Sequence, residues 1–200
     1  MEVCSLKTYK HAERPLIMTL IRLAKIEEYE QVIQFYYDTI DMLNKSEFSS
    51  LWKKDVYPSN AYIRQSIENG QLWVYEMDGQ IISSMVLNHE CNEGYRSVKW
   101  PTEFEKEEIF VIHAFGVLPS IHGKGIGSQM LKNAIEYGAK NNVKVIRLDV
   151  LADNIPAVRL YTKNGFSYVD STCMYYEIII HYEQTKCKPL MNYLQKVQIK

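Results

Sequence analysis

An α/β fold, with strands and helices sharing one core, follows from three features of the sequence. Residues 109–117 are apolar on both alternating faces, with Ile109, Val111, Phe115 and Val117 on one and Phe110, Ile112 and Ala114 on the other. A strand has that composition when it is buried between two layers. Glycines at 123, 125 and 127 then lead into a helical pattern, where Ile126, Met130, Ala134 and Tyr137 join Leu131, Ile135 and Gly138 in one broad apolar face. Finally, Asp78-Gly79 separates two strand-like runs, 72–76 and 80–88, and reads as a hairpin turn.

Taken in order, residues 1–17 show no sustained period and read as an N-terminal extension, so the domain is expected over 18–183. Residues 18–23 form the first strand. Ile26, Tyr29, Ile33, Tyr36, Tyr37 and Ile40 recur at helical spacing and predict a helix over 27–43. Residues 44–58, with Trp52, Tyr57 and Pro58, make an aromatic connector. Ser59 suits the N-cap of a second helix closing at Asn69-Gly70. After the hairpin, 89–108 is long and irregular and carries Glu103, Glu105, Glu107 and Glu108; loops of that length inside a domain are often functional. Pro119 ends the central strand because it has no N–H to donate. A further strand is expected at 144–151. A short helix opened by Pro156 and closed at Asn164-Gly165 follows, then paired strands at 166–169 and 174–182. Residues 184–200 are a polar C-terminal tail with scattered apolar side chains.

Two hundred residues fit one domain with a sizeable core. Apolar content of 46% and charged content of 24% are the ordinary globular mix, which argues against a disordered or a membrane class. A formal net charge of −1 removes any global argument for a nucleic-acid partner. Cys4, Cys91, Cys173 and Cys187 are scattered without metal or redox spacing and read as inert free thiols of a reducing compartment. No apolar run approaches the ~18 residues of a membrane span, and no signal-peptide core is visible. A cytoplasmic protein without a membrane or nucleic-acid partner is the expectation; a homodimer stays open.

The strand, glycine turn and helix start at 109–128 make an anion cradle. Glycines let the backbone approach a phosphate without a Cβ in the way, and unpaired N–H groups converge with the positive end of the helix dipole. Lys124 adds a point charge at the rim. A nucleoside-triphosphate loop needs G-x-x-x-x-G-K-[ST], but Gly125 follows Lys124 and no glycine stands at 118. A dinucleotide loop comes closer, with Ser128 in the last glycine's place and Asp149 about 20 residues on, where a ribose-binding acid belongs. That fold needs several more βα units, and only one follows.

The segment Val117-x-Pro119-x-x-His122-Gly123-Lys124-Gly125-Ile126-Gly127 resembles the pyrophosphate loop of the GNAT superfamily of acyl-CoA-dependent N-acyltransferases, (R/Q)-x-x-G-x-(G/A) after V-x-P. His122 stands where arginine or glutamine is usual. A second stretch, Leu148-Asp-Val150 through Asn154, Ala157, Leu160-Tyr161 and Gly165-Phe166, resembles the other half of the signature. Two motifs in the right order, one βα unit apart, reinforce each other. The resemblance implies a mixed, mostly antiparallel sheet flanked by helices, whose central strands (here 109–117 and 144–151) run parallel and splay apart to admit the pantetheine arm. It implies acetyl-CoA as co-substrate, without a metal, bound by Phe115, Gly116, Val117, His122, Gly123, Lys124, Gly125, Ile126, Gly127, Ser128, Asn154 and Tyr161.

Acyl transfer needs a neutral amine, a polarised carbonyl and a proton for the leaving thiolate. By the resemblance Tyr161 is the proton donor, although one of fifteen tyrosines could equally be core. Asn154 divides between coenzyme contact and helix cap. His113, on the same strand face as Phe115, is the base candidate; a histidine in an apolar strand is more often a bonded core residue. Its rivals are Glu108, His89, Glu90 and Asp149. The acids at 103–108 fit a solvated loop. The stretches 44–58 and 92–108 are expected to wall the acceptor pocket with Trp52, Tyr57, Tyr95, Trp100 and the glutamates from Glu93 onward, which favours a small cationic amine. The alternative is a non-catalytic acyl-CoA sensor with the same fold; an oxidoreductase is the third class.

Overall fold

The computed structural model describes residues 19–46, 51–174 and 177–185. The expected extension at 1–17 and most of the tail, with Cys4 and Cys187, lie outside them. Strand β1 (Thr19–Leu23) precedes helices α1 (Tyr29–Leu43) and α2 (Asn60–Glu68). The Ser59 side chain accepts from Tyr62 N–H and caps α2 as its position predicts. Strands β2 (Leu72–Met77) and β3 (Gln80–Asn88) meet at a turn where Asp78 and Gly79 both take positive φ. Then come β4 (Ile109–Val117), α3 (Ile126–Lys140), β5 (Val145–Leu151), α4 (Ile155–Lys163), β6 (Ser167–Met174) and β7 (Glu177–Gln184). Among the described residues these strands form one seven-stranded sheet, ordered β1-β2-β3-β4-β5-β7-β6.

Every neighbouring pair is antiparallel except β4 and β5. That pair is held only by Ile109↔Val145, Phe110↔Ile146 and Val111↔Arg147. Both strands continue, to Val117 and Leu151, without pairing further with each other. The sheet therefore opens into a gap at the C-terminal ends of its two central strands.

Helices cover both faces. Tyr36 of α1 reaches Ser84, so Ser84, Val86 and their partners on β4 face α1 and α2. Tyr137 of α3 packs on Trp73 and Phe110, which assigns the other face to α3. Alternation carries this across the sheet: Ile146 and Leu148 face α3, whereas Arg147 and Asp149 face the α1 side. No described helix is long and apolar enough to cross a membrane.

Strand β4 breaks its own alternation. Val86 pairs with His113 but Ser84 with Gly116, so Met85 opposes both Ala114 and Phe115. This is a β-bulge, and Ala114 adopts φ 46° to make it. His113 and Gly116 consequently share a face, and Phe115 turns to the other, against Tyr161. The expectation that His113 and Phe115 lie together, drawn from strict alternation, is corrected by that one extra residue.

Candidate functional site

The gap has a backbone edge, two faces and a mouth. Along its edge, Leu118 N–H bonds Ile82 O at 3.0 Å, so alternation turns the Val117 and Phe115 N–H groups away from β3 and toward the space that β5 vacates. Gly116 between them has no Cβ because Trp52 closes there, 3.2 Å from where that atom would sit.

At the mouth, Pro119–Ile121 forms one 3₁₀ turn and the glycine loop follows. Gly123 and Gly125 hold φ 79° and 82°, left-handed values that favour glycine, and open space surrounds the Cβ positions of both. Gly125 is the N-cap of α3, so the first amides of that helix are left for a ligand. These features fit a pyrophosphate. Gly127 serves a different purpose, because a Cβ there would stand 2.9 Å from Leu160 Cδ2, and the glycine lets α4 pack on α3. Ile126 is buried beneath the loop, and Lys124 is exposed at its rim. The exposed His122 donates through Nε2 to Val117 O at 3.0 Å, which ties the loop to the end of β4. Ser128 Oγ accepts from Asn164 Nδ2 at 3.0 Å, joining α3 to α4. Asn154 Oδ1 accepts from Ala157 N–H at 3.2 Å, so the cap reading of that residue is the geometry observed.

On the α3–α4 face the gap is backed by Tyr161, 6% exposed, whose ring centroid lies 6.5 Å from that of Phe115 and 6.0 Å from that of Phe166. Burial, then the negative charge of Asp149, holds its phenol well above the usual tyrosine range.

On the α1–α2 face stand His113 and Asp149. His113 Nε2 lies 2.9 Å from the backbone carbonyl of Glu90. A carbonyl only accepts, so Nε2 carries the proton and Nδ1 keeps the lone pair. Burial lowers the imidazole's pKa more than Asp149 and Glu90 raise it. Asp149 Oδ1 accepts from the Tyr95 hydroxyl at 2.8 Å. Tyr95 has its own pKa driven up by burial and then by that carboxylate, so it stays a donor. Two of the other base candidates are engaged elsewhere: His89 Nδ1 binds Ile109 O at 2.7 Å, and Glu108 caps the 3₁₀ turn Lys106–Glu108.

Aromatic side chains enclose this face. Trp52 lies 5.8 Å from Tyr36 and 6.4 Å from Tyr57, centroid to centroid. Burial pushes the Tyr62 phenol up to about 12. Trp100, expected as a wall, instead stacks on the Arg147 guanidinium at 4.0 Å and donates Nε1–H to Tyr95 O at 3.0 Å. Arg147 is buried with Glu183, Nε to Oε2 3.7 Å, and bonds Thr102 O at 3.0 Å. Glu103, Glu105 and Glu108 line a cavity of about 410 Å³ with Trp100, Thr102, Phe104 and Arg147. The side chain of Glu93 lies outside the described part. Cys91 and Cys173 are free thiols and are exposed.

Comparison with known proteins agrees with this geometry. Residues 37–166 match the acetyltransferase (GNAT) family. The chain is 26% identical over 151 residues to an uncharacterized N-acetyltransferase of Archaeoglobus fulgidus, spanning 76% of this chain and 95% of that one. A GNAT acetyltransferase from Streptococcus agalactiae has the same fold, with a TM-score of 0.72 at 23% identity over 84% of this chain and 95% of its own. So has the acetyltransferase yncA of Salmonella typhimurium, solved with acetyl-CoA, at a TM-score of 0.61 and 15% identity over 84% and 93%. A split parallel pair, a left-handed glycine N-cap and a match over most of the fold converge on one conclusion: the chain belongs to the GNAT acetyltransferase family and is an N-acetyltransferase.

Proposed function

We propose that this enzyme moves an acetyl group from acetyl-CoA directly to the primary amine of a small cationic molecule in the cytoplasm. The observation that carries the reading is the unpaired stretch of β4 and β5, with a phenol on one face and an imidazole and a carboxylate on the other. When bound, acetyl-CoA supplies an acetyl thioester whose thiolate needs a proton on departure. The amides of residues 123–128 hold its pyrophosphate, and the Phe115 and Val117 backbone lines its arm and polarises the carbonyl.

Tyr161 carries the proton for the sulfur at its phenolic oxygen. A phenol kept fully protonated by burial is available to donate at every physiological pH. His113 takes the amine's proton at Nδ1; its lowered pKa keeps it neutral near pH 7. Asp149 gives this face negative charge, and no Lys, Arg or His nitrogen among the described residues forms an ion pair with it. An ammonium group suits that carboxylate and the surrounding rings, at roughly 0.5–2 kcal/mol for each well-placed cation–π contact. The test is thiol release from acetyl-CoA with matched panels of small cationic amines, lysine peptides and anionic amino sugars. Turnover on the cationic amines is expected; preference for the anionic sugars, or turnover only on a folded protein, overturns the acceptor assignment.

A further inference from the structure

The bulge in β4 is clamped from the opposite layer. Ala114 is not glycine, yet it sits at φ 46°, a region that L side chains rarely adopt and that persists only when its surroundings impose it. As the extra residue of the bulge it has no cross-strand partner of its own. Tyr36, from the middle of α1 and 1% exposed, places its hydroxyl 2.9 Å from Ala114 O and 3.1 Å from Ser84 Oγ. A phenol has one proton. The carbonyl can only accept it, which leaves Ser84 to donate to the Tyr36 oxygen. Ser83 Oγ meanwhile donates to Gly116 O at 2.7 Å. The carbonyls on both sides of Phe115 are thus held by hydroxyl groups.

We propose that Tyr36 is a positioning residue for acetyl transfer: by pinning the Ala114 carbonyl it fixes the peptide planes of the bulge, and so the direction in which the Phe115 and Val117 N–H groups meet the acetyl carbonyl. This rests on the backbone-polarisation reading given above. The Tyr36 hydroxyl touches no reacting atom. Its effect passes through a backbone whose donors stabilise charge only when correctly aimed. Burial and the neighbouring phenols hold its pKa far above neutrality, so the clamp does not titrate at physiological pH.

The test is infrared spectroscopy of acetyl-CoA, ¹³C-labelled at the acetyl carbonyl, bound to the full chain. In the wild-type protein the carbonyl stretch is expected below its value in water. In Tyr36→Phe roughly half or more of that shift is lost and kcat falls about tenfold or more, while calorimetric affinity for CoA and the KM for acetyl-CoA stay as they were. Ser84→Ala is expected to act in the same direction and more weakly. An unchanged stretch in a folded Tyr36→Phe overturns the proposal, as does a loss of CoA affinity that accounts for the whole loss of rate. No shift in the wild-type protein sinks the polarisation reading itself. If Tyr36→Phe does not fold, Ser84→Ala decides by the same criteria.

Discussion

The two faces of the gap are built in different ways. On the α3–α4 face, the groups proposed for the coenzyme beyond the edge of β4 come from two contiguous stretches, 117–128 and 154–166, and much of what they offer is backbone: left-handed glycines, a helix start and a capped second helix. On the α1–α2 face, side chains converge from five separate places: Tyr36 on α1, Trp52 and Tyr57 in the connector, Tyr95 before β4, His113 on β4 and Asp149 on β5. A ligand common to a whole family is met by local geometry, which a short motif can encode. The variable ligand is met by an assembly that exists only after folding.

The sharpest way to test that division is at the proton-handling groups. Tyr161→Phe removes only the oxygen facing the coenzyme side, so kcat is expected to fall about 10²–10⁴-fold with CoA affinity nearly intact. His113→Ala removes the group on the other face and is expected to alter the acid limb of the rate profile. That limb should lie below the usual imidazole pKa, because burial lowers it. Activity rises with pH through this value, as the neutral ring is the base. A pH–rate profile for both variants decides. Undiminished kcat in Tyr161→Phe would make Tyr161 a packing residue, and an unmoved limb in His113→Ala would leave Asp149 as the base.

A smaller effect separates two glycines that look equivalent in the sequence. Gly125→Leu forces a left-handed backbone on a side chain that also projects where the loop lies open, at a backbone cost of about 1–3 kcal/mol. CoA affinity is expected to drop by about 10²-fold. Gly127→Leu meets Leu160 instead and separates α3 from α4, so its first effect is on stability, about 1–3 kcal/mol. Calorimetry with CoA and thermal unfolding, run on both variants, distinguish them; equal losses of affinity at equal stability would return Gly127 to the phosphate site.

That pair also marks how far the sequence could be read. The element order and the glycine turn were legible because hydrophobic period, glycine spacing and Asp78-Gly79 act locally, whereas the parallel pair followed only from the family resemblance of 117–127 and 148–166. The face of His113 was not, because a bulge is one residue without a compositional sign, and here the residue is an ordinary alanine. Tyr36 gave no signal either. It sits at helical spacing among core residues, and only the fold brings its hydroxyl to Ala114. Of the acids at 103–108, which read from the sequence as a solvated loop or an acceptor wall, Glu103, Glu105 and Glu108 line a cavity with Arg147, over which the loop folds. Charge that faces the gap comes from Asp149, which sequence reasoning had as a rival base.

The smallest expected effect concerns pH and the α1–α2 face alone. His181 is fully buried beneath Tyr95 and Trp100, its Nε2 lies 2.9 Å from Thr172 Oγ1, and burial lowers its pKa as it does that of His113. For a group whose folded pKa lies below the unfolded value of about 6.5, the unfolded chain binds more protons between the two. The stability linked to these histidines is therefore complete above about pH 6.5 and declines as pH falls toward their folded values. Glu183 works the other way: burial raises its pKa, so its share of stability is present at low pH and lost as pH rises through the folded value. Its window opens near the unfolded carboxylate pKa of about 4.3 and runs upward from there, opposite in sign to the histidine contribution. As pH falls below about 6.5 the histidine share of stability is lost, and Tm is expected to fall by about 2–4 °C for each kcal/mol lost. His181→Gln retains a partner for Thr172 without an ionisable ring and should flatten that slope, while Tyr161→Phe, on the other face, should leave it as it is. Thermal unfolding of the three proteins at matched ionic strength gives the answer. An equal slope in His181→Gln and the wild type would mean that the ring is not what acid acts on.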